Sequence, residues 1–382
     1  MRIVVAMDSF KGSLTSLDAG CAVQRGIEKA FLPIPDQTPV VKVFPLADGG
    51  EGTVAALIGS LGGTYETVKV RGPLKGQVEA GYGIVSPGNG PAVAVIEMSA
   101  AAGLWLVPEK ERNPLYTTTY GVGELILHAL LKGCRKFLVG IGGSATNDGG
   151  VGMLAALGFE FRDKMGRKTG ICGKDLNCIF TIHTERKQSL LDGCTFRVAC
   201  DVNNPLCGPN GAAYVFGPQK GASPSEIRLL DKGLANLADV ASRSTAKNDY
   251  RNVPGAGAAG GLGYAFIQFL NGKLESGAGM IIDAIGLENE IRNADLVITG
   301  EGRMDDQTAM GKAPWEVARL AGKYGKKAIA FCGSIAPSAS CAWKDHFDLC
   351  IPVTPPGASL ERASEWLEKA VCEYFKTKGD SL

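Results

Sequence analysis

The chain opens on an unbroken apolar run, RIVVAM (Arg2–Met7), which predicts a strand buried on both faces. In the following DSFKGSLTSLDAGCAVQRGIEKAF, Leu14, Leu17, Cys21, Val23, Ile27 and Phe31 recur at helical spacing behind Ser13, which reads as the N-cap. The same order returns in VVKVFPL (Val40–Leu46), the loop ADGGEGT and the apolar VAALIGSLG. Three more units stand near the C-terminus: ADLVITG before EGRMDDQTAMGKAPWEVARLAGKYG, KAIAFCG before SIAPSAS, and FDLCIPV before SLERASEWLEKAVCEYF. Strands alternating with helices predict a parallel, doubly wound α/β fold, Rossmann-like or flavodoxin-like, with five strands in the order 2-1-3-4-5.

From RGPLKGQ onward the pattern changes. QVEAGYGIV and AVAVIEMS read as a strand pair joined by the turn-rich SPGNGP. YGVGELILHALLKG then reads as a helix, KFLVGIG as a strand, GGVGMLAALG as a helix and FRVACDV as another strand. The chain is therefore expected to hold a discontinuous first domain, 1–72 with 280–382, and an inserted α/β domain, 73–279, with a mixed sheet. The two crossings, near 72 and 280, are the expected hinges. Glycine-rich VPGAGAAGGLG (Val253–Gly263), ahead of YAFIQFL, reads either as a linker into a tightly packed helix or as a ligand contact.

Composition narrows the partners. A chain of 382 residues with 45% hydrophobic and 21% charged residues can bury two cores of ordinary size. With Lys+Arg 40 against Asp+Glu 39, it carries neither the basic stripe of a nucleic-acid binder nor a polybasic membrane anchor, which leaves small neutral or anionic metabolites. No run approaches a membrane span, and MRIVVAMDSF lacks a small-residue cleavage site, so a cytoplasmic location is expected. Eleven cysteines are spread singly with no CxxC pair, and read as reduced packing residues. His128, His183 and His346 offer no zinc spacing, so any metal would be a hard cation held by carboxylates and phosphate.

Ligands of doubly wound sheets bind outside the carboxyl ends of the strands. Those ends carry DSFKGS, ADGGEGT and GEGRMDDQTAMGK, which put Asp8, Lys11, Asp48, Glu51, Glu301, Arg303 and Asp305 on one rim. The turn Asp8-Ser9-Phe10-Lys11-Gly12-Ser13 is not the GxGxxG of a dinucleotide site, and MGKA (Met310–Ala313) lacks the upstream glycine and the hydroxyl of a P-loop. Carboxylates, a lysine, an arginine and glycine-rich loops nonetheless match phosphoryl transfer, which needs a base for the acceptor alcohol and cations and N–H donors for the phosphoryl group.

VGIGGSATNDGG (Val139–Gly150) packs five glycines and no cation into twelve positions. It reads either as a tight turn or as a binding loop. In the second case Gly142, Gly143 and Ser144 present N–H groups at a helix N-terminus to an anion, and Thr146, Asn147 and Asp148 serve hydroxyls. Asp201 follows a strand in ACDVNNPL, where an N-cap or Asx-turn is the alternative, and Lys220 lies in the turn-like FGPQKGAS.

Taken together, DSFKGSL, PLADGGEGT, GIGGSATNDGGVGML, ACDVNNPL, FGPQKGA and ITGEGRMDDQTAMGK resemble the motifs of bacterial glycerate kinases, in order and from Met1 to about residue 380. The resemblance implies ATP- and Mg²⁺-dependent phosphorylation of glycerate in a cleft between a Rossmann-like domain and an inserted domain, leaning toward carbon 2. On this reading of the residues Asp8, Lys11, Asp48 and Asp201 are expected to form the catalytic set, with Asp8 or Asp48 as base. Ser9, Gly142, Gly143, Ser144, Thr146, Asn147, Asp148 and Arg303 would bind substrate. Lys220, Gly300, Gly302 and Lys312 would contact the nucleotide, and Glu301 and Asp305 the metal. Two positions depart from that pattern: Met7 stands where a proline is common, with an expected effect on loop stiffness, and Met310 where a histidine often precedes the Gly-Lys pair. Of the alternatives, a small-acid dehydrogenase or isomerase, the dehydrogenase is opposed by the missing GxGxxG, and a non-catalytic sugar-acid sensor is opposed by the clustered carboxylates and cations.

Overall fold

A computed structural model describes residues 1–86, 90–186, 189–245, 248–306, 308, 311–336, 346–355 and 357–378; Met310 lies outside them. The chain divides into two compact units, 1–48 with 55–62 and 278–382, and 49–54 with 63–277.

The first unit is built on a parallel five-stranded sheet. In space its strands run Val40–Pro45, Arg2–Met7, Leu296–Gly300, Lys327–Cys332, Leu349–Pro352, which is the order 2-1-3-4-5 in chain terms. Ile3 to Met7 are fully buried because the strand has a neighbour on each edge and helices over its faces, so every position along it is apolar. Val40–Pro45 lies at an edge, and there burial alternates, with Val40 63% exposed. Met7 pairs with both Gly300 and Pro45 and is fully buried. It is therefore a core residue of the strand, and its side chain acts through packing where an effect on loop stiffness was expected.

The first helix, Ser16–Phe31, is capped by Thr15, whose hydroxyl accepts from the Asp18 N–H at 3.1 Å. Ser13, the expected cap, instead donates to the Phe10 carbonyl at 3.0 Å and closes the preceding turn. The buried face is Ala19, Ala22, Val23, Ile27 and Phe31, while Leu17 is exposed. That face packs with Ile3, Val5, Ile298 and Phe331 of the sheet and Leu367, Val371 and Phe375 of helix Ala363–Lys378. The segment SIAPSAS holds no helix in its described part; Ser334 and Ile335 form a two-residue parallel ladder with Arg303 and Met304.

The second unit carries a mixed six-stranded sheet in the spatial order Lys273–Glu275, Thr195–Ala199, Lys136–Gly140, Val93–Glu97, Gln77–Val85, Thr64–Arg71. The last two ladders are antiparallel and the other three parallel. Thr64–Arg71, Lys273–Glu275 and the long helix Pro224–Thr245 are elements the apolar pattern had not signalled.

The glycine-rich Val253–Gly263 stretch leads into helix Ala258–Leu270, which is broken inside by left-handed backbone at Ala259, Gly260 and Gly261. Gly260 backs directly onto the chain at Thr146: a Cβ there would meet the Thr146 carbonyl at 2.1 Å. Its own carbonyl accepts the Gly149 N–H at 2.9 Å. The glycines of this stretch thus allow two backbones to touch. The described cysteines are all free thiols, but only Cys134, Cys332 and Cys372 are buried, and Cys178 is exposed, so packing accounts for fewer of them than expected. Among the described residues no helix is long and apolar enough to cross a membrane.

Candidate active site

In the first unit the chain runs from Arg2–Met7 to the strand on one side and later returns to the strand on the other, so the order reverses at Arg2–Met7 and Leu296–Gly300. Asp8 and Glu301 are the first residues beyond these two strands. The Asp8 N–H extends the ladder by donating to the Gly300 carbonyl at 2.9 Å. Gly300 itself is a packing residue, because a Cβ there would sit 1.7 Å from the Phe331 carbonyl oxygen.

A cavity of about 400 Å³ opens at this end of the sheet. Its polar lining comes from Asp8, Ser9 and Lys11 after the first strand, Asp48 after the second, and Glu301, Gly302, Arg303, Asp305 and Lys312 after the third. These predicted residues are brought together; Glu51 is not among those lining the cavity.

Asp8 is only 7% exposed, and one carboxylate oxygen accepts the Ser9 N–H at 2.7 Å. Burial raises its carboxyl to about 7, and the charges of Asp48 and Glu301 push the same way, against the Ser9 N–H and Lys11. Glu301 is likewise buried, and loss of hydration raises its carboxyl. Opposing that, the Thr308 hydroxyl donates to Glu301 at 2.6 Å and the Lys312 ammonium lies 3.4 Å from the second oxygen. Thr308 is a residue supporting this cluster that the sequence reading passed over; the Asp305-x-x-Thr308 spacing, which lets its hydroxyl accept the Asp305 N–H at 3.0 Å, is the signal that could have found it. Lys11 and Arg303 are exposed, while Lys312 stands at the N-cap of helix Ala313–Lys323.

Glu301 and Asp305, the expected metal pair, already share a cation, since Lys312 lies 3.4 Å from one and 3.6 Å from the other. A divalent ion between them would have to displace that ammonium. The pair as arranged does not fit Mg²⁺. Among the described residues no three His, Cys, Asp or Glu side chains are grouped to hold an ion.

The second unit holds the glycine-rich loop between strand Lys136–Gly140 and helix Val151–Ala156. Gly142 and Gly143 are exposed, whereas Ser144, Thr146, Asn147 and Asp148 are buried. Left-handed backbone at Gly149 and Gly150 delays the helix until Val151, so Gly142–Ser144 are loop donors and not the expected helix N-terminus. Asp148 is consumed within the fold: its carboxylate accepts from the Thr119 N–H at 2.7 Å, the Thr119 hydroxyl at 2.8 Å and the Gly150 N–H at 3.1 Å. The loop's missing cation comes from far along the chain. Lys220, 3% exposed, donates to Ser144 Oγ at 2.7 Å and to the Thr146 carbonyl at 2.6 Å. Asp201, also in this unit, is exposed and accepts the Gly277 N–H at 3.0 Å.

A doubly wound sheet whose switch point carries buried carboxylates beside lysine and arginine, with no dinucleotide or P-loop fingerprint, defines an α/β protein built to handle a small anionic ligand. Comparison with known proteins says which. The sequence profile of the glycerate kinase family matches residues 3–377, and the chain belongs to that family. It is 42% identical over 373 residues to a glycerate kinase of Bacillus subtilis (strain 168), covering 97% of this chain and 95% of the relative. It is 43% identical over 382 residues to the glycerate 2-kinase of Escherichia coli (strain K12), covering 100% of this chain and 98% of the relative. A crystal structure of a Salmonella typhimurium LT2 protein described as a glycerate kinase 2 superposes with a TM-score of 0.89 at 41% identity, over 100% of both chains. Membership makes this chain a kinase of glycerate kinase type.

Proposed function

We propose that the chain phosphorylates glycerate at the carbon-2 hydroxyl with ATP as donor. The observation that carries this reading is Asp8: a carboxylate on the rim of a cavity that Lys11, Arg303 and Lys312 share with four carboxylates, raised by burial to about 7, where a base exchanges protons readily at neutral pH. Asp8 accepts the hydroxyl proton as the O–P bond forms and the bond to the departing ADP breaks. Of the two candidate bases, Asp8 is preferred over Asp48 because it is the more deeply buried. Lys11 and Arg303, exposed at the cavity, supply positive charge to the phosphates, and Lys312 joins them from the N-cap of its helix. Mg²⁺ would enter with the nucleotide's phosphates.

Carbon 2 is favoured by the likeness to the E. coli glycerate 2-kinase. A coupled ADP-release assay across glycerate, tartronate and hexonates tests the reading. Glycerate-dependent ADP release is the expected result, and ATP left intact with every acid would refute it.

A further inference from the structure

The buried Lys220 has no part in the chemistry above, yet few surroundings justify placing an ammonium there. Removing such a group from water costs several kcal/mol unless the fold gains from its presence. Loss of hydration accordingly drops Lys220 to about 7, with the Asp148 charge acting the other way. What Lys220 touches is the glycine-rich loop. Its two hydrogen bonds, to Ser144 Oγ and the Thr146 carbonyl, join segments 76 and 74 residues apart.

The consequence for Ser144 follows from hydroxyl geometry. An oxygen that accepts from Nζ turns its own proton away from Nζ, leaving Ser144 as a donor to something else. Beside it stand the exposed Gly142 and Gly143, the latter in left-handed backbone at φ 70°. Among the described residues the N–H groups of Gly142, Gly143 and Ser144 have no hydrogen-bond partner, although the Gly143 carbonyl accepts from Leu104 at 2.9 Å. Successive unpaired N–H groups beside a hydroxyl form a concavity suited to an anion. The same loop buries further unmet polar atoms, Thr146 Oγ1 and both side-chain polar atoms of Asn147, which only water or a ligand can satisfy.

We infer that Lys220 is a positioning residue that holds the Gly142–Ser144 turn as a binding site for a carboxylate or phosphate oxygen, acting through Ser144. The inference rests on the kinase reading only for its probes, glycerate for the carboxylate and ADP for the phosphate. Calorimetric titration of the full chain with each probe tests it in Ser144→Ala, Ser144→Thr, Lys220→Met, Lys220→Gln and the Ser144→Ala/Lys220→Met double variant, after thermal melts confirm folding.

Ser144→Ala and Lys220→Met should each weaken one probe by about tenfold, the size of a lost hydrogen bond to a charged group. Because the two residues act in series, the double variant should be within about twofold of the weaker single. Ser144→Thr, which keeps the hydroxyl, should restore binding, a rescue that a purely structural role would not produce. Weakened glycerate binding identifies a carboxylate site and weakened ADP binding a phosphate site. If Lys220→Met does not fold, Lys220→Gln, which keeps N–H donors without the charge, takes its place and should also bind more weakly. Unchanged affinity for both probes in the folded Ser144 and Lys220 variants, or fully additive losses in the double variant, would overturn the inference. Wild-type protein that binds but does not turn over glycerate contradicts the kinase reading and leaves this one standing.

Discussion

The Asp8 N–H donates to the Gly300 carbonyl at 2.9 Å, so the carboxylate proposed as base is fastened by its own backbone to the strand that carries Glu301. The two buried carboxyl groups are set by the sheet register, which pairs Met7 with Gly300 one step before each of them. Asp8 is thus held in a costly place by the hydrogen-bonded centre of the sheet. Such a placement favours function over stability.

Replacing Asp8 with Asn separates the two. Turnover should fall by roughly a hundredfold or more, the usual contribution of a general base. Stability should move the other way. The Asp8 carboxyl sits at about 7 when folded and near 4 when unfolded, so between those values the folded chain binds more protons and loses stability as pH rises. Above pH 7 the variant, uncharged in both states, should melt higher than wild type. Thermal melts at pH 5 and pH 8 check this: the gain should be present at pH 8 and small at pH 5.

The wild-type rate has its own pH signature. A base that works deprotonated gives a kcat/KM that climbs with pH and levels off above about 7. A rate already level between pH 5 and 8 would remove Asp8 from the role.

How much of this was legible in the sequence depends on the distance between partners. The five strands followed from apolar runs such as Arg2–Met7 and Leu296–Gly300, because strands buried on both faces leave an uninterrupted signal, whereas their order came from the topology of doubly wound folds and from no particular residue. The rim residues followed from the strand ends. Thr64–Arg71 gave only an alternating, half-exposed pattern at a sheet edge, and was missed. Lys220 beneath Ser144 was out of reach, since nothing local to either segment encodes a contact across 76 residues. The role of Asp148 was hidden for a second reason: a polar residue in a loop reads alike whether it faces a ligand or its own backbone.

Thr308 carries a structural prediction. Its fully buried hydroxyl donates to Glu301 at 2.6 Å and accepts from the Asp305 N–H at 3.0 Å. Thr308→Val should cost about 1–3 kcal/mol by removing both bonds, read as a lower urea midpoint with an unchanged slope.

Gly300 sets a steric limit. An alanine Cβ would lie 1.7 Å from the Phe331 carbonyl, a backbone atom that cannot swing aside. Gly300→Ala should destabilise the first unit by about 3 kcal/mol or more. A chemical denaturation curve coincident with wild type would show that the strands can part there at little cost.

Phosphorus and proton NMR of the product formed from glycerate and ATP tests the central claim most directly. Phosphate appearing on the carbon-2 oxygen of glycerate, with one ADP released per product, is the predicted result. Phosphate on carbon 3 would contradict the regiochemistry, and ADP with free phosphate but no phosphorylated acid would contradict the transfer itself.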